Sequence, residues 1–142
     1  MPIKKLIKIL CLGALIIAPG IYADKKNFTD PNTPIIVKKS NPTFTITLKS
    51  NPTTGYSWSL KGKGYDEKLI SLVSNKFYPP TNKMLAGAPG YEEWIFKVNP
   101  SSFTASQTTK TTIALVYIRP WEKQVNQNTQ PTNFKVEIKN DN

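Results

Sequence analysis

The segment Thr43-Phe44-Thr45-Ile46-Thr47-Leu48-Lys49 alternates strictly between polar and apolar residues. Side chains on a strand point to opposite faces in turn, so Phe44, Ile46 and Leu48 face a core while the threonines and Lys49 face water. Phe134, Val136 and Ile138 alternate with Lys135, Glu137 and Lys139 in the same way. Thr111 to Ile118 is β-branched and apolar on both faces, as suits a central strand. Glu92 to Val98 places Trp94, Phe96 and Val98 on one side, and Pro34 to Val37, Tyr56 to Leu60 and Leu69 to Tyr78 complete the set. No segment beyond the N-terminal region keeps a 3.6-residue period, and twelve prolines with many threonines oppose helix; Tyr65 to Leu69 is read at most as a short turn. The pattern predicts an all-β fold, an immunoglobulin-like β-sandwich of about seven strands.

The first 23 residues follow a different logic. Lys4, Lys5 and Lys8 precede an apolar run from Ile9 to Ala18, Pro19 and Gly20 break it, and Ala23 offers a small residue before Asp24. That order reads as a secretory signal peptide over residues 1–23. An uncleaved anchor would need roughly 20 apolar residues. A lipoprotein reading of Cys11 is disfavoured by Lys8, Ile9 and Leu10 before it, where small residues belong. The expected product is one domain of residues 24–142, exported to the periplasm or beyond the cell, with no stable membrane association after cleavage. Cys11 is the single cysteine, so this domain has no disulfide and stands on packing alone. With Lys4, Lys5 and Lys8 removed, the formal charge falls from +10 to +7. The remaining lysines are scattered, Arg119 is the one arginine, and no nucleic-acid motif is present, so nucleic acid is not an expected partner.

The chain contains no histidine. That removes the usual catalytic triads, most zinc sites and the ordinary general base near neutral pH. The nine acidic residues include two adjacent pairs, Asp66-Glu67 and Glu92-Glu93, and neighbours on a strand face apart. The sequence therefore predicts no enzyme, no metal and no cofactor.

Three loops carry distinctive chemistry. Asn51-Pro52-Thr53-Thr54-Gly55, followed by Tyr56, couples a fixed φ at Pro52 to stiff threonines and a glycine free to take positive φ. It is either a plain turn or a shaped, small-tipped projection that loses little entropy on binding. From Tyr78-Pro79-Pro80 to Gly90 runs a longer loop in which Met84, Leu85 and Ala86 either fold back or face a partner, followed by Gly87-Ala88-Pro89-Gly90. The third, Tyr117-Ile118-Arg119-Pro120-Trp121-Glu122, ends the most apolar strand. Arginine and tryptophan are enriched at binding hot spots. The competing arrangement lays Trp121 back on the sandwich edge and pairs Arg119 with Glu122.

Together these segments resemble the chagasin family of cysteine protease inhibitors, in order and spacing, over nearly all of residues 24–142. The resemblance implies three loops at one end of an immunoglobulin-like sandwich, filling the cleft of papain-like cysteine proteases. It places Thr53 and Thr54 at the catalytic cysteine and histidine, within a binding loop of Asn51, Pro52, Thr53, Thr54, Gly55 and Tyr56. Leu85, Gly87, Ala88, Pro89 and Gly90 lie along one side, and Arg119, Pro120 and Trp121 along the other. Many members have consecutive glycines where this chain has Ala88-Pro89-Gly90. Inhibition by a monomer, reversible and competitive, is the expected activity. The alternatives are a carbohydrate-binding or adhesion module using Tyr56, Trp58, Trp94 and Trp121 as platforms, and a purely structural domain.

Overall fold

The computed structural model describes residues 27–81, 87–104, 106–122 and 128–141. The expected signal peptide lies outside them. Among the described residues, eight strands follow in chain order: β1 (Asn27–Phe28), β2 (Ile35–Lys38), β3 (Thr43–Ser50), β4 (Ser57–Leu60), β5 (Ile70–Tyr78), β6 (Gly90–Val98), β7 (Thr109–Ile118) and β8 (Thr132–Lys139). They form two four-stranded sheets, ordered β1-β3-β6-β5 and β2-β8-β7-β4. Only β1–β3 and β2–β8 are parallel pairs; the others are antiparallel. Every strand of four residues or more coincides with one of the seven expected from the sequence. Two-residue β1 is the addition, and the turn expected near Tyr65 closes as Leu69 N–H donates to the Asp66 carbonyl at 3.0 Å.

The alternating residues pack between the sheets. Phe44, Ile46 and Leu48 of β3 lie opposite Phe96, Trp94 and Glu92 of β6 in the ladder. Phe44 and Phe96 stack at 5.7 Å between ring centroids, and Tyr65 meets Phe96 edge-on at 5.6 Å. Ile113 and Leu115 of β7, with Phe134, Val136 and Ile138 of β8 and Ile35 and Val37 of β2, complete the buried cluster. Thr45 departs from the simple alternation: expected to face water, it is fully buried. Its strand is flanked on both sides, by Ile95 of β6 and by β1, whose pairing the sequence pattern did not reveal.

This topology gathers three connections at one end. Loop 1 (51–56) crosses from β3 in the first sheet to β4 in the second. Loop 2 (79–89) joins β5 to β6 within the first sheet, and loop 3 (119–131) joins β7 to β8 within the second. The crossover is thus flanked by one hairpin tip from each sheet.

Candidate functional site

Loop 1 is a single turn of 3-10 helix, Pro52–Thr54, that begins on a proline and ends on Gly55 at φ 82°. Thr54 N–H donates to the Asn51 carbonyl at 3.1 Å, and Gly55 N–H to the Pro52 carbonyl at 2.9 Å. The threonine hydroxyls turn back as well. Thr53 Oγ1 donates to Asn51 Oδ1 at 2.5 Å, and Thr54 Oγ1 to the Asn51 carbonyl at 2.7 Å. Pro52, Thr53 and Thr54 stand exposed at the tip.

Loop 3 leans on this turn. β7 ends at Ile118, and Arg119 Nε donates to the Thr54 carbonyl at 3.2 Å. The guanidinium lies 4.6 Å above the Tyr56 ring, and Nη1 meets Glu122 Oε1 at 3.1 Å. Trp121 is 66% exposed, yet its ring lies over Gly55: a Cβ there would come within 2.5 Å of Trp121 Cη2. The Arg119–Glu122 pair that competed with a binding role is therefore present, while the indole remains at the surface beside loop 1.

Beneath the turn lies an aromatic column. Tyr117 sits between Tyr56, at 5.4 Å, and Trp58, at 5.1 Å, and its hydroxyl accepts the Asn51 backbone N–H at 2.8 Å. Trp58 Nε1 donates to the Lys49 carbonyl at 2.8 Å. Glu92, only 4% exposed, accepts the Ser50 hydroxyl at 2.6 Å and the Trp58 N–H at 3.2 Å. One carboxyl group thus joins the ends of β3, β4 and β6 directly below loop 1, with the bond from Ser50 the shorter of the two. Sequence reading placed Tyr117 at the head of the third loop without giving it a role, and did not pick out Glu92 as part of the site. For Glu92 a signal existed: it shares the inward parity of Trp94, Phe96 and Val98.

On the far flank, Gly87 at φ 77°, Ala88 and Pro89 run beside loop 1, and the Gly87 carbonyl accepts Asn51 Nδ2–H at 3.0 Å. Gly90 is not at the loop surface; it is buried in β6 opposite Ser50, where a Cβ would meet the Tyr78 carbonyl at 2.2 Å. Leu85, with Met84 and Ala86, lies outside the described residues. Of the four aromatics proposed as glycan platforms, Trp94 is in the core, Trp58 packs partly against it and Tyr56 lies under Arg119, which leaves Trp121.

A sequence model described as Chagasin family peptidase inhibitor matches residues 38–138, from the end of β2 to β8. Chagasin of Trypanosoma cruzi is 37% identical over 78 residues, which is 54% of this chain and 64% of that protein. The aligned part thus spans less than two thirds of that relative's length. The crystal structure of a cysteine protease inhibitor from Entamoeba histolytica superposes with a TM-score of 0.53 at 25% identity, covering 80% of this chain and 92% of that one. Those relatives are inhibitors, which agrees with the expectation that this chain is not an enzyme. With the six strands from β3 to β8 and all three loops inside the matched span, the chain belongs to the chagasin family of peptidase inhibitors.

Proposed function

We propose that the chain is a reversible, competitive inhibitor of papain-like cysteine proteases, acting as a monomer after export and removal of residues 1–23. The observation that carries this reading is the exposed turn Pro52–Thr54, flanked by Trp121 on one side and Gly87–Pro89 on the other. A turn hydrogen-bonded to itself offers no extended backbone for cleavage, so it blocks a nucleophile without becoming substrate. Thr53 and Thr54 sit over the catalytic pair, with Asn51, Pro52, Gly55 and Tyr56 holding them. Arg119, Pro120 and Trp121 cover one wall of the cleft, and Gly87, Ala88 and Pro89, with Leu85, form the side toward the other, while Gly90 is buried in β6 at the root of that loop. The family membership and the inhibitory activity named for its relatives support the same reading. Loop order set before binding keeps the entropy cost of association low.

Titration of residues 24–142 into papain or a cathepsin L-type enzyme with a fluorogenic peptide tests it. Stoichiometric inhibition relieved by excess substrate and by dilution is the expected result. A folded protein that leaves several such enzymes uninhibited at micromolar excess overturns it.

A further inference from the structure

The Asn51 side chain faces inward, to its own molecule. Its Nδ2–H reaches the Gly87 carbonyl of loop 2, its Oδ1 receives the Thr53 hydroxyl of loop 1, and its backbone N–H is bound by Tyr117 at the root of loop 3. The amide orientation is fixed by chemistry: the Gly87 carbonyl only accepts, so the NH2 must face it, and the Thr53 hydroxyl can donate to the oxygen that remains. Loop 3 is already held to loop 1 by Arg119 and the Thr54 carbonyl. Among the described residues, loop 2 is held to loop 1 through Asn51. Gly87 has little else to fix it, since it is exposed, carries no side chain and has nothing within 4 Å of the position a Cβ would take.

We propose that Asn51 is a positioning residue that sets the separation of loops 1 and 2, its side chain engaged within the inhibitor and not with the protease. This rests on the reading of the loops as the inhibitory surface, and it adds what keeps two of them in register before an enzyme arrives. Three substitutions separate its bonds. Asn51→Asp retains an acceptor for Thr53 but loses the donor to Gly87, Asn51→Ala loses both, and Thr53→Val removes the hydroxyl alone.

The test is backbone 15N relaxation on the free protein of residues 24–142, with thermal melting to confirm folding. Both Asn51 variants are expected to lower the order parameters of the Gly87 and Ala88 amides from about 0.85 toward 0.6 or below. Gly90, inside β6, stays rigid as the internal control, and Thr53→Val leaves Gly87 and Ala88 ordered. Against a papain-like enzyme, Asn51→Asp should weaken inhibition roughly tenfold, the scale of reordering a freed segment on binding. Unchanged order at Gly87 and Ala88 in both Asn51 variants overturns the proposal. Because that readout is taken without a protease, it stands or falls separately from the inhibitory reading.

Discussion

Gly55 and Trp121 form one unit, although 65 residues of chain lie between them, because they flank the paired strands β4 and β7. The backbone at Gly55 has φ 82°, which costs a residue with a side chain about 1–2 kcal/mol, and the place a Cβ would occupy is filled by the indole. Gly55→Ala should therefore lower Tm by roughly 4–8 °C and also push Trp121 out of place, weakening inhibition at least tenfold. Trp121→Ala removes an exposed ring, so Tm should barely move while inhibition falls by about 2 kcal/mol, or roughly thirtyfold. Because both changes disturb the same contact, the double variant should lose less than the sum of the two. Additive losses, read from inhibition constants and melting curves, would separate the glycine from the tryptophan.

At the scale of elements, the loops hang from strands inside the sheets. β3, β6 and β7 each have neighbours on both sides, and loops 1 and 3 leave from β3 and β7 while loop 2 enters β6. The Glu92 carboxylate ties the ends of β3, β4 and β6 together where the turn begins. Glu92→Ala leaves the Ser50 hydroxyl and Trp58 N–H without their acceptor, at about 1–3 kcal/mol for each orphaned group. Urea unfolding should show that loss, and Glu92→Gln, which retains an acceptor, should recover most of it. A Glu92→Ala protein as stable as the parent would mean the carboxylate holds nothing. The strands with a buried face were legible because burial patterns them: Phe44, Ile46 and Leu48, or Phe134, Val136 and Ile138, announce one face each. The loops were legible as motifs, but their mutual contacts were not, since Asn51 to Gly87 and Arg119 to Thr54 depend on β3 pairing with β6 and β4 with β7, partnerships between strands distant in the chain. β1 was missed because two residues carry no period. Glu92 was visible by parity, but a carboxylate invites assignment to the surface until the polar groups beneath the loop are located.

For the molecule as a whole, 142 residues without a histidine leave few ordinary groups that change charge between pH 5 and 8. Three carboxyls are held below their usual range: Asp30 chiefly by the Asn32 backbone N–H, Glu137 by Lys139, and Asp141 by the Ser40 hydroxyl. A depressed carboxyl stabilises the fold above its unfolded pKa, and that contribution is lost as pH falls through its folded value. Asp30 and Asp141 are exposed, and Glu137 lies at the surface with lysines open to water, so each contributes little. The expected profile is a Tm nearly flat from pH 8 to 5 that declines below about pH 4; a sharp drop between pH 7 and 5 in melting curves would contradict it. The direction of β8 has a practical consequence. It runs away from loop 3, and its far end meets the opposite pole, where Asn140 donates to the Thr104 carbonyl and Ser40 to Asp141. A linker appended beyond that pole would tether the domain to a resin with its three loops pointing outward, ready to fish thiol proteases from a mixture under the reducing buffers that keep them active.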